Sequence, residues 1–147
     1  MAEPHTRSGG CLCGAVTYRA IGLADVWYCH CRQCRRLTGH YMAAARAPLE
    51  DVSINGEVAW TRVSPDAAHG FCPRCHAPLF WRNQTRPTIS VVMGSLDDDD
   101  DDGGAGLVAR GHIFTAEKGD YYTIDDGLPQ YPGWPAEGAP GLAAGPG

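Results

Sequence analysis

Seven cysteines in three tight clusters are the side chains best able to do chemistry here: Cys11-x-Cys13, Cys29-His30-Cys31-x-x-Cys34 and Cys72-x-x-Cys75. A cysteine thiolate is both a nucleophile and a soft metal ligand, and clustering favours the second role. Neither outer pair alone saturates a tetrahedral zinc ion. Together Cys11, Cys13, Cys72 and Cys75 supply four thiolates, the closed set of a structural zinc site. On an extended strand residues two apart face one way, so Cys11 and Cys13 are expected to aim at one point. The Pro73-Arg74 gap lets a tight turn do the same for Cys72 and Cys75. Structural zinc supplies roughly 10–16 kcal/mol of apparent binding free energy, whereas a domain of this size is stable by only about 5–15 kcal/mol. The metal is therefore expected to decide whether the chain folds. The alternative is two unrelated pairs of buried cysteines.

Cys29, Cys31 and Cys34 form an incomplete set. Three protein ligands with an exchangeable fourth position is the pattern of a catalytic zinc. His30 would face the opposite side of a strand and is not counted as a ligand. The fourth position is open to water, a substrate sulfur or a distant histidine, for which His40, His76 and His112 are candidates. Two other readings stay open: a second closed zinc site with a histidine ligand, and a Cys31-x-x-Cys34 redox pair, which no accompanying βαβ pattern supports. Arg32, Arg35 and Arg36 lie beside this cluster. Arg35 is the candidate for holding a substrate carboxylate bidentately, set against an ordinary surface role for all three.

These clusters need elements to position them. The chain has 147 residues, 44% hydrophobic and 20% charged, enough for one domain with a modest core. A formal charge of −5 argues against a general nucleic-acid binder. No apolar run reaches the roughly 18 residues of a membrane helix, and the first residues lack a secretory pattern. A cytoplasmic, reducing address is expected, where clustered cysteines read as metal ligands rather than disulfides.

Short extended segments rich in Val, Ile, Thr and aromatics are expected at 15–20, 25–29, 41–46, 52–54, 58–63, 79–81, 88–93, 112–114 and 121–124. Asn55-Gly56 reads as a hairpin turn between two of them. Only Arg32–Thr38 reads as a helical turn, so the class is all-β. Residues 1–8 are expected to be a loose tail, 9–127 a single zinc-binding domain, and 128–147 a Pro/Gly-rich tail that is draped or disordered. The six consecutive aspartates at 97–102 are expected to form a solvated loop. Calcium binding there is the alternative, without the regular ligand spacing it would need.

Gly9-Gly10-Cys11-Leu12-Cys13-Gly14-Ala15-Val16, Cys29-His30-Cys31-x-x-Cys34-Arg35-Arg36, Phe71-Cys72-Pro73-x-Cys75, Gly94-Ser95-Leu96-Asp97 and His112-Ile113-Phe114 resemble the glutathione-dependent formaldehyde-activating enzyme family, which includes the centromere protein V relatives. The resemblance runs from Gly9 to Gln130. It implies a tent-like arrangement of antiparallel sheets with two zinc ions per chain. One would be structural, at Cys11, Cys13, Cys72 and Cys75, and one catalytic, at Cys29, Cys31 and Cys34. It implies a carbon–sulfur lyase that adds formaldehyde to glutathione, giving S-hydroxymethylglutathione; the substrate sulfur is the expected fourth ligand of the zinc at Cys29, Cys31 and Cys34. A zinc-containing module that binds a glutathione-like thiol or its adduct without turnover is the alternative. A chromatin-interaction domain like the centromere relatives would call for a basic segment, which is missing. The chain departs from the family at His76, where glycine is usual, at Tyr121-Tyr122, where tryptophan is often found, and in its long aspartate run.

Overall fold

Alternation of side chains along Thr17–Ile21 sets the first layer: Tyr18 and Ala20 are buried while Thr17, Arg19 and Ile21 are exposed, the period of a half-buried strand. In this computed structural model, which describes residues 5–98 and 107–135, Thr17–Ile21 (β2) is the centre of a small antiparallel sheet. Thr6–Gly10 (β1) and Val52–Asn55 (β5) flank it, in the order β1-β2-β5.

The second sheet has seven strands: Ala24–Cys29 (β3), Met42–Pro48 (β4), Ala59–Arg62 (β6), Ala67–Phe71 (β7), Pro78–Asn83 (β8), Thr88–Val92 (β9) and Ala109–Ile113 (β10). Their order is β10-β3-β4-β9-β8-β7-β6. Every pair is antiparallel except β10 with β3, which run parallel. Arg32–Thr38 (α1) is the one α-helix among the described residues, and single 3₁₀ turns lie at Leu49–Asp51, Met93–Ser95 and Thr115–Glu117. The all-β class and the short helix are as the sequence predicts. No helix among the described residues is long and apolar enough to cross a membrane.

The core lies between the small sheet and one face of the large one. Val16, Tyr18 and Ala20 meet Ala45, Ala47, Leu79, Phe80, Ile89 and Val91 there, and each large apolar side chain contributes about 1.5–3 kcal/mol by leaving water. Cys72 is fully buried in the same cluster.

Four local expectations are corrected. Asn55-Gly56 does not close a hairpin: β5 pairs with β2 and β6 with β7, so the turn carries the chain from one sheet to the other. Gly56 has φ +101°, and a Cβ there would collide with the Ala15 carbonyl oxygen, so close approach is what requires the glycine. The N-terminal tail ends earlier than residue 8, because Thr6–Gly10 pairs along the whole of β2. Residues 121–124 form no strand. There the Lys118 Nζ donates to the Gly119 and Tyr122 carbonyls and holds a loop instead. The strand β7 was not predicted, since Ala-Ala-His-Gly-Phe has little intrinsic β preference and owes its place to neighbours on both sides.

Of the expected C-terminal tail, residues 128–135 are described and drape along β10. His112 N–H donates to Pro129 O, Tyr131 N–H to His112 O, and Phe114 N–H to Gly133 O. Asp97 and Asp98 are exposed, while the aspartates at 99–102 lie outside the described residues.

Candidate active site

Cys11 and Cys13 sit on the turn after β1 rather than on a strand, facing Cys72 and Cys75 on the turn between β7 and β8. All four sulfurs lie within 4.8 Å of one another. Cys11–Cys13 and Cys13–Cys72 are each 3.7 Å apart. A tetrahedron with zinc–sulfur bonds of about 2.3 Å has sulfur–sulfur edges of about 3.8 Å, so the donor set fits the ion. Backbone amides support the charge: Val16 N–H donates to Cys11 Sγ at 3.3 Å, and Arg74 N–H to Cys72 Sγ at 3.3 Å. Hydrogen bonds from the Ala77 and Cys13 backbone help to hold the Cys75 thiol down at about 6.

The second cluster is built at the junction of β3 and α1. Cys29 ends the strand, Cys31 caps the helix and Cys34 lies one turn inside it. The Cys31 sulfur takes the place of the usual Ser or Asp oxygen, accepting from Cys34 N–H at 3.3 Å. Gly39 ends the helix in the left-handed conformation. The three sulfurs also lie within 4.8 Å of one another, and no histidine or carboxylate joins them among the described residues. Their mutual hydrogen bonds hold Cys31 low, down to about 2, push Cys29 up to about 12 and push Cys34 up as well. Three sulfurs this close cannot all be anionic unless a cation neutralises them, and a thiophilic metal does so.

The histidines proposed for a fourth position lie elsewhere. His40 bonds Tyr121 at 2.6 Å, and His76 lies beside Phe71. His112 joins His30 on the opposite face, as expected for His30. With Asp126 ionised and both imidazoles neutral, the donor inventory leaves one direction for this chain of bonds. Tyr122 O–H donates to His30 Nδ1 (2.6 Å), His30 Nε2–H to His112 Nδ1 (2.8 Å), and His112 Nε2–H to Asp126 Oδ2 (2.8 Å). Burial first, then the neighbouring His112, pushes His30 down to about 4, which keeps it neutral. The Leu128 amide and then His112 hold Asp126 below the usual carboxylate range.

Cys29, Cys31 and Cys34 open onto a cavity of about 680 Å³, within the size range of small-molecule sites. Its floor is the outer face of the large sheet. Asp25 and Trp27 contribute from β3, Met42, Ala44 and Arg46 from β4, Ser90 from β9, Trp81 from β8 and His69 from β7. Its walls are Arg32, Gln33, Arg36 and Leu37 of α1, with Val63, Phe114, Glu117 and Trp134.

Arg35 is not among the lining residues. Its Nε donates to the carbonyls of Glu117 (3.0 Å) and His30 (3.4 Å), fixing the helix from behind. The arginines that do face the cavity are Arg32, Arg36 and Arg46. His69, Arg46 and Trp134 were missed in the sequence: the first lies on the unpredicted β7, and the last in the segment read as tail. Burial lowers the pKa of His69, with the Cys31 sulfur acting the other way.

Residues 6–117 match a protein family described as glutathione-dependent formaldehyde-activating enzyme, GFA. The crystal structure of a Rhodobacter sphaeroides protein is similar, with 28% identity, coverage of 64% of this chain and 91% of that one, and a TM-score of 0.54. No curated protein matches the chain.

Proposed function

Since this chain belongs to the glutathione-dependent formaldehyde-activating enzyme family, we propose that it is a zinc-dependent carbon–sulfur lyase that joins an aldehyde such as formaldehyde to glutathione or a related thiol. The observation that carries this reading is the convergence of Cys29, Cys31 and Cys34 on a cavity, with no fourth protein ligand among the described residues. Cys11, Cys13, Cys72 and Cys75 are proposed to hold the structural zinc, and Cys29, Cys31 and Cys34 the catalytic one.

In the reaction the thiol sulfur donates an electron pair to the aldehyde carbon, and a carbon–sulfur bond forms. The carbonyl π pair moves to oxygen, which takes up the proton that the thiol gave up. A zinc ion at the three cysteines supplies an open coordination position that favours an ionised thiol. A free thiol with a pKa near 8.5 is about 3% ionised at pH 7, so complete ionisation gains at most about 30-fold, or about 2 kcal/mol. Holding both reactants in one cavity can contribute more, up to about 7–11 kcal/mol. Trp27, Trp81 and Trp134 make much of the floor and wall apolar.

The test compares adduct formation with the spontaneous reaction while zinc content is measured. Two zinc ions per chain and a rate above background are expected. Cys34→Ser should stay folded, retain one zinc and lose the rate enhancement. Saturable glutathione binding at the background rate would point instead to a thiol-binding module. One zinc in the wild type would sink the active-site assignment.

A further inference from the structure

Arg46 is a half-buried cation that faces the cavity. Among the described residues its guanidinium makes no hydrogen bond or ion pair. The charge that acts on it is a like one, from Arg86, and together with burial it lowers the Arg46 pKa. By contrast, Asp25, which lines the same cavity, already pairs with Arg110 at 2.6 Å. A guanidinium withdrawn from water next to a second one is costly unless an anion arrives.

Strand register says what kind of anion could reach it. Cys29 pairs with Met42, Trp27 with Ala44, and Arg46 lies two residues further along β4, opposite Ser90 on β9. Four residues of strand separate the level of Cys29 from Arg46, roughly 14 Å at about 3.4 Å per residue. Between them the floor is Trp27 and Ala44, and Trp81 stands across from Ser90. In cysteine the sulfur and carboxylate are only three bonds apart and cannot span that distance.

We propose that Arg46 anchors the carboxylate of an elongated thiol whose sulfur reaches Cys29, Cys31 and Cys34, so that the cavity selects thiols with an anionic group far from sulfur. This rests on reading the three-cysteine site as the place where a thiol docks. Arg46 supplies the bidentate donor, Ser90 is a neighbouring hydroxyl, and the apolar floor between the two ends penalises short polar thiols.

The protein reconstituted with cobalt(II) gives a readout independent of turnover, because a sulfur entering the metal's coordination shell changes its visible absorption. Wild type should bind glutathione about 10–100-fold more tightly than glutathione diethyl ester, the range for a charge-assisted hydrogen-bonded pair, and more tightly than cysteine. Arg46→Met should remove the preference by weakening glutathione alone, and Arg46→Lys should restore part of it. Metal content should not change. The melting temperature of Arg46→Met should hold or rise, since an unmatched buried charge is lost.

Equal binding of acid and ester by the wild type, or equal weakening of both in Arg46→Met, would overturn the role of Arg46 alone. So would a large drop in melting temperature. If no thiol alters the cobalt spectrum, the thiol-docking reading falls, and this inference with it.

Discussion

At His76 the backbone is left-handed, with φ 65°, directly after the Cys72-Pro73-Arg74-Cys75 turn. An L side chain there costs roughly 1–2 kcal/mol, which gives a physical reason for the family's usual glycine. His76→Gly relieves that strain but frees the unfolded chain by about 0.4–1 kcal/mol. The expected net gain is about 0–1.6 kcal/mol, read from denaturant unfolding of the zinc-loaded protein. A lower midpoint would show that contact with Phe71 outweighs the strain. His30 shows a different residue-scale effect. It lies between two cysteines of the three-cysteine cluster, yet its ring bonds Tyr122 and His112 on the other face. Removing the Tyr122 hydroxyl leaves a buried ring nitrogen unpaired, so Tyr122→Phe should cost about 1–3 kcal/mol by the same measurement. An unchanged stability would mean that His30 finds another donor.

Among the elements, α1 and the segment 128–135 decide the shape of the cavity. The helix is only seven residues long, too short to be stable alone, and is fixed by its Cys31 cap, by Gly39 and by the Arg35 bonds behind it. The C-terminal segment follows β10 and brings Trp134 against Phe114, with ring centres 5.2 Å apart. Phe114 itself adopts φ 56°, a strained conformation that directs its ring to the cavity wall. Trp134→Ala should therefore weaken thiol binding several-fold while zinc content stays the same. Loss of zinc in that variant would show the segment to be part of the metal-site scaffold rather than a wall.

For the whole molecule, the four-cysteine site ties the turn after β1 to the turn between β7 and β8 and so joins the two sheets. Its expected binding energy, roughly 10–16 kcal/mol, matches or exceeds the stability of a typical domain, about 5–15 kcal/mol. Removing bound zinc with a strong chelator should unfold the protein, and adding zinc should restore it. Cys75→Ser should be insoluble or unfolded, unlike Cys34→Ser, as read from circular dichroism and soluble yield. A folded, metal-free protein would refute the dependence.

The three cysteine clusters were legible in the sequence because spacing is a local property: CxC, CxxC and CHCxxC each bring sulfurs together within one turn, and the meeting of the first two followed from the four thiolates that a closed site needs. His30's orientation and the all-β class followed from equally local periodicity. Arg35 could not be judged that way, because helical spacing does not say which side of α1 meets the sheet. Nor could β7, whose Ala and Gly residues become a strand only between β6 and β8. The same holds for Arg46, Trp81 and His69, distant in the chain and set in one row by register across β4, β9, β8 and β7. The cysteine clusters were a matter of neighbours in sequence. The cavity onto which three of them open is a matter of strand pairing, which only the folded chain decides.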